Sequence, residues 1–262
     1  MAYEQEHPPF SPTLFLAVNL GSLVAIFGAI KILFPVVWAA QLATPWLMTI
    51  AVFIIAHFCN AFIEFFFHRY VLHAKVIPFF GHFYDAHNLH HNLTRIEQQV
   101  VTTNKFPIIE EPQHESSFFP WWTLLVFSLF LAPLYTTVYF FFPETPIFLA
   151  GYASVFFSMA MYELYHAMWH WPLGRWKVLF AQKNLGSFWE TAYKFHLRHH
   201  ANVRCNESVS GFFGIPLPDL LFGTYLKADT LFPDQTVVPR EEFKSPTPRL
   251  YIRVLDSILI RN

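Results

Sequence analysis

Four long apolar runs, broken by short turns and polar stretches, dominate the order of residues in this chain. They cover about residues 13–38, 45–67, 121–142 and 146–168. Each holds the roughly 20 helical residues needed to cross a bilayer core. Lys31, near the end of the first run, can snorkel to the interface. Turns rich in Pro and Thr, 41–45 and 143–146, separate the members of each pair, so the pattern predicts two helical hairpins. The segments 69–118 and 170–262 are more polar. The expected fold is a single all-α integral membrane domain of four transmembrane helices in two hairpins, with a histidine-rich cap from those two segments.

Composition supports the membrane reading. Of 262 residues, 54% are hydrophobic and only 13% charged, against about 25% charged in an ordinary soluble protein. Disorder and a disulfide scaffold are excluded by the same figures and by the two cysteines, Cys59 and Cys205. A net charge of −1 gives no reason to expect nucleic acid as a partner. Apart from Lys31, every Lys and Arg lies in 69–118 or after residue 170, so the positive-inside rule puts the cap in the cytoplasm. With an even number of spans, both termini are expected there too. The opening MAYEQEHPPF lacks the basic region of a cleavable signal peptide. The closing DSILIRN shows no retrieval signal, which leans towards a bacterial inner membrane over endoplasmic reticulum.

Histidine changes the picture from a membrane protein to a membrane protein with chemistry. Ten of the 14 histidines fall in four clusters: His68 and His73; His87, His90 and His91; His166 and His170; His196, His199 and His200. Each cluster lies at a cap-side span end or within the cap. Positions i, i+3 and i+4 share a helix face, so each H-x2-HH group aims three imidazoles at one point, and the pair His166 and His170 is similarly aligned. The i, i+5 pair His68 and His73 is not, and needs the helix to loosen near its end. Neutral imidazole binds iron, zinc, copper and nickel. Ten are too many for one ion, so a dimetal centre fits better, and iron is the metal suited to activating O2.

The ordered set H-x4-H, H-x2-HH, H-x3-H, H-x2-HH between paired spans resembles the fatty acid hydroxylase / sterol desaturase superfamily of membrane non-haem di-iron enzymes. The segment from His196 to Tyr225 is similar to that family's closing segment, with Gly214, Asp219 and Leu221-Phe222-Gly223-Thr224 after the histidine box. The likeness covers roughly residues 50 to 227; the interval 170–196 and the polar 92–118 stretch follow no pattern of the family. It implies two iron ions held by the ten histidines, with zinc able to replace iron in purified protein. It also implies hydroxylation of a C–H bond in a fatty acyl, sphingoid or related lipid, using O2. Desaturation of a lipid, sterol or carotenoid on the same centre is the alternative. No cytochrome b5-like module is visible, so electrons are expected from an external cytochrome b5, ferredoxin or reductase.

Beyond the metal ligands no catalytic residue is expected. Glu64 and Glu163, close in sequence to His68 and His166, are expected to receive the far N–H of ligating imidazoles. Asp219 is a candidate for the same role or a turn acceptor, and His82 a candidate ligand or neighbouring donor. His57, Asn60, Glu64 and His68 form a stripe expected to face the bundle interior. Trp121, Trp122, Trp169, Trp171 and Trp176 are expected as interface anchors, and 250–255 as an interfacial helix. A metal transporter is the reading from another class. It predicts ionisable residues through several spans, whereas the first and third runs hold almost none. A zinc hydrolase would need a general base, and no H-E-x-x-H is present.

Overall fold

The computed structural model describes residues 11–260; the expected location of both termini falls outside these. In chain order the helices are α1 (Pro12–Leu33), α2 (Pro35–Ala43) and α3 (Trp46–Phe67), which continues into a π-helical turn at His68–Leu72. Then come α4 (Gly81–Leu93), strands β1 (Ile96–Gln98) and β2 (Thr102–Asn104), and α5 (Glu111–Ser116). The rest are α6 (Thr123–Phe141), α7 (Ile147–Trp169), α8 (Leu173–Phe180), α9 (Gly186–Ala201), α10 (Leu217–Phe222) and α11 (Leu250–Leu259). The fold is mostly helical, but the polar 92–118 stretch carries an antiparallel hairpin, Ile96 opposite Asn104. Two compact units divide the chain: one of Ser11–Ile63 and Phe119–Leu164, the other of Glu64–Phe118 and the chain from Tyr165 onward.

Among the described residues, four helices are long and apolar enough to cross a membrane: Pro12–Leu33, Trp46–Leu72, Thr123–Phe141 and Ile147–Trp169. The first is shorter than the apolar run predicts. The chain breaks at Phe34 because Pro35 has no N–H to continue α1, and that proline becomes the first residue of α2. At the other end of α1 the Ser11 hydroxyl accepts the Leu14 N–H at 3.3 Å. Of the four, α7 is the most enclosed, its most apolar stretch 56% buried against 17% in α1. Gln41 supplies what the start of α7 lacks. Its Oε1 accepts the Phe148 and Leu149 N–H groups at 2.9 and 3.3 Å, two donors with no partner inside the helix. Gly151 lets Tyr135 approach, since a Cβ there would lie 2.9 Å from its ring. Outward-facing Val36, Leu129 and Phe140 are 73–81% exposed, apolar surface that suits lipid and not water.

In the second unit, α8 and α9 close around Trp176, which is fully buried, stacks on Trp169 at 5.3 Å and meets the tilted Tyr193 ring at 5.1 Å. Trp169 and Trp176 are therefore core residues and not interface anchors, whereas Trp121 is 66% exposed. The segment after α10 returns to the β-hairpin, where Thr102 N–H donates to Thr236 at 2.6 Å and Gln235 N–H donates to Thr102 at 2.9 Å. Gln113 ties the 92–118 segment into one piece. Its Oε1 accepts Ile109 and Glu110 N–H, and its Nε2 donates to the Leu93 and Lys105 carbonyls. A segment with little apolar content thus holds its shape through a buried amide.

Candidate metal centre

All ten clustered histidines lie in the second unit. Helix α4 delivers His87, His90 and His91, the end of α7 delivers His166 and His170 follows it, and α9 delivers His196, His199 and His200. The pair His68 and His73 is delivered by the π turn. Its wider winding closes a bond from His73 N–H to the His68 carbonyl at 3.0 Å and brings i and i+5 onto one side. The ring centroids of His68 and His73 are 4.7 Å apart. The loosening that the spacing demands is present.

The imidazoles sort into two groups. His68, His73, His87, His91 and His199 form one, and His90, His166, His170 and His200 the other, with one ligand nitrogen per residue within 4.8 Å of every other in its group. His196 completes the second group, its Nε2 3.3 Å from that of His170 and 3.2 Å from that of His200. The rings of His91 and His200, one from each group, stack at 4.1 Å, so the two groups adjoin. His82 is exposed and belongs to neither.

Tautomers follow from the partners. A carbonyl can only accept, so the Nδ1 facing it must carry the proton. That holds for His68 on Glu207, His199 on Cys205 at 2.8 Å, His166 on Ser117 at 3.0 Å and His170 on Phe106 at 2.6 Å. The hydroxyl of Ser117 donates to Gln113, so its oxygen accepts from His90 Nδ1 at 2.8 Å. The hydroxyl of Thr94 donates to His90 at 2.7 Å and likewise accepts from His200 Nδ1 at 3.0 Å. His90, His166, His170 and His200 therefore each turn an Nε2 lone pair inwards, with no proton among these four to share. The Nε2 of His90 is buried without a hydrogen-bond partner. Facing lone pairs repel unless a cation lies between them, so the donor set fits a metal ion.

Burial reinforces this. It holds the pKa of His73, His87, His90, His91, His196 and His200 well below the usual value, and neighbouring imidazoles add to the effect. Burial lowers His170 to about 3 and His199 to about 4, against the opposing pull of their carbonyl partners. Neutral imidazole is the ligating form. These eight groups bind fewer protons folded than unfolded between about pH 4 and the ordinary value of 6.5. Stability therefore rises with pH through that window and falls as the medium is acidified. The midpoint of thermal unfolding of metal-free protein should drop continuously from pH 7 to pH 5; an unchanged midpoint contradicts the assignment of neutral, buried rings.

The carboxylates serve differently from the sequence expectation. Glu64 accepts Val209 N–H at 2.6 Å, Ser210 N–H at 2.9 Å and Gly211 N–H at 3.3 Å, as well as the Ser210 hydroxyl. Glu163 accepts Phe119 N–H at 2.8 Å. Both carboxylates hold main-chain N–H groups, while carbonyls and two hydroxyls occupy the far N–H of six imidazoles. Asp219 is a turn acceptor, taking Glu207 and Ser208 N–H at 2.9 Å each and the Thr224 hydroxyl at 2.6 Å. It fixes the turn whose Glu207 carbonyl orients His68. Gly223, at φ +73°, ends α10 in the left-handed conformation that lets Thr224 double back to Asp219. The stripe along α3 is buried at His57, Asn60 and His68. Its first two members bond to α7, His57 Nδ1 to Ser158 Oγ at 2.9 Å and Asn60 Nδ2 to Ser154 Oγ at 3.1 Å.

Comparison with family models, curated proteins and solved structures finds no match.

Sequence reasoning also misses the buried charges beside the first group. Arg69, 2% exposed, donates to Glu207 at 2.6 Å and grips Asp256 of α11 with Nε at 2.9 Å and Nη2 at 2.6 Å. Tyr70 adds its hydroxyl to Asp256 at 2.9 Å. Burial pushes the Glu207 carboxyl up, and Arg69 opposes that shift. Residue type alone gives Arg69 no partner; the fold supplies Glu207 and Asp256.

Proposed function

We propose that this chain is a membrane-bound non-haem di-iron oxygenase that hydroxylates C–H bonds of a lipid. The observation that carries the reading is the pair of adjoining all-imidazole groups, with lone pairs directed inwards from four chain segments. The resemblance of the ordered histidine clusters to the fatty acid hydroxylase / sterol desaturase superfamily supplies the reaction class. Two iron ions, when bound, supply O2 activation, with one oxygen atom going into the C–H bond and the other leaving as water on two external electrons and two protons. The chain's own part is to hold ten rings in place, six of them in fixed tautomers through main-chain carbonyls and buried hydroxyls. No side chain is required as nucleophile or acid–base group.

In this reading the four spans pair as two hairpins, the histidine-bearing unit is a cytoplasmic cap, and a separate cytochrome b5, ferredoxin or reductase delivers the electrons. The membrane is a bacterial inner membrane in preference to endoplasmic reticulum. The test is a mass-spectrometric lipid profile of cells carrying the intact chain or the double variant His199→Ala, His200→Ala. A lipid class heavier by one oxygen, lost in the variant, is the expected result. A loss of two hydrogens would identify a desaturase on the same centre. Unchanged lipids with the metal-loaded chain in the membrane and electron donor present would overturn the oxygenase reading and turn attention to metal transport.

A further inference from the structure

Helix α11 sorts its side chains into three sectors when wound at about 100° per residue. Ile252 is fully buried, and Asp256, one turn on, receives Arg69 and Tyr70. Arg253 and Ser257 form an exposed polar edge. The remaining half bears Leu250, Tyr251, Val254, Ile258 and Leu259, between 38% and 67% exposed. Next to it stand Leu220 and Leu221 of α10, exposed at 47% and 40%. Tyr251 joins the two helices, its hydroxyl donating to the Leu221 carbonyl at 2.7 Å and its ring meeting Phe222 at 5.6 Å.

This apolar ledge is fastened twice to the end of α3. Asp256 holds Arg69 and Tyr70, and Phe222 packs on Phe65 at 4.8 Å and Phe66 at 5.3 Å. The candidate span formed by α3 and its π turn ends at Leu72. With α3 crossing a bilayer, a helix bound to that end would lie at the depth of the headgroups.

We propose that α11, with Leu220 and Leu221, is an interfacial helix whose apolar half lies in the acyl–headgroup boundary of the bilayer that holds α3. Its sectors match those of helices that lie in a membrane surface: an apolar half for the acyl boundary and exposed Arg249 and Arg253 for headgroup phosphates. A protein partner would have no need of that depth or of the flanking cations. The seat also has a connection inward. Asp256 holds Arg69, Arg69 holds Glu207, and the Glu207 carbonyl orients His68. Lipid contact and the first imidazole group are thus joined by one line of bonds. The inference rests on the membrane reading of α3 and is independent of the reaction class.

The test uses the full chain in phosphatidylcholine–phosphatidylglycerol vesicles, with Cys59→Ser removing the exposed thiol and the buried Cys205 left in place. Nitroxides are attached singly through Val254→Cys, Ile258→Cys, Arg253→Cys and Ser257→Cys. Power saturation then compares accessibility to O2 with accessibility to a neutral water-soluble nickel chelate. The ratio should be several-fold higher at 254 and 258 than at 253 and 257. Equal ratios, or nickel-dominated access at 254 and 258, would leave the face in water and overturn the proposal. Low access to both reagents would mean that protein, such as a second copy, covers the face, and would overturn it as well. Leu250→Cys gives a further reading of the same face if a label at 254 or 258 disturbs folding.

Discussion

Replacing His170 and His200 together by alanine should remove one of two bound metal ions and leave the other. His73→Ala with His91→Ala should do the converse. The expectation follows from the division of ligand nitrogens into two groups, each within 4.8 Å internally. With two of its imidazoles gone, the second group is left with three at most, too few to close the coordination of a buried ion, while the first keeps all five. Elemental analysis of iron-reconstituted protein should give about two ions per chain for the intact protein and about one for either double variant. His82→Ala, at an exposed position outside both groups, should keep both ions. Loss of both ions from each double variant would mean one inseparable cluster. Oxidation of lipid should disappear in both double variants, because on the proposed reading O2 chemistry needs the pair.

Arg69→Met should be the most destabilising single change at a residue that is not a metal ligand. Glu207 is fully buried, and methionine leaves its carboxylate facing the 2.6 Å contact with no cation. Breaking a buried pair from one side costs on the order of 3–5 kcal/mol. Asp256→Asn should cost far less, since that carboxylate is 24% exposed and screened by solvent. Chemical unfolding in detergent measures both. The loss should also be selective for metal. The Glu207 carbonyl that fixes the His68 tautomer shifts with its side chain, so affinity should fall about 10–100-fold at the first group and much less at the second. An Arg69→Met protein as stable as its parent would show that water already screens the pair.

The candidate metal centre is more legible in the sequence than the scaffold that holds it. The two H-x2-HH groups converge because helical period alone brings i, i+3 and i+4 together, and α4 and α9 are regular helices. The H-x4-H pair is informative for the opposite reason. Its spacing fails a regular helix and therefore demands the π turn found at His68–Leu72. What escapes the sequence is everything the main chain does. Phe106, Ser117, Cys205 and Glu207 orient imidazoles through carbonyls, and a carbonyl leaves no mark in residue type. Glu64 and Glu163 have the right chemistry and sequence distance for imidazole partners, yet are used on N–H groups 145 and 44 residues away. The break at Phe34 is a local matter of Pro35, masked by an apolar run that continues on both sides. Trp169 and Trp176 mislead because composition cannot tell a wet indole from a stacked, buried one.

X-ray absorption at the edge of the bound metal tests the central claim most directly. The account predicts a first shell dominated by nitrogen at about 2.0–2.2 Å with the outer scattering of imidazole rings. It also predicts that this ring scattering weakens when His90→Ala is combined with His199→Ala. A shell of sulfur at about 2.3 Å, or one of oxygen without ring scattering, would contradict it.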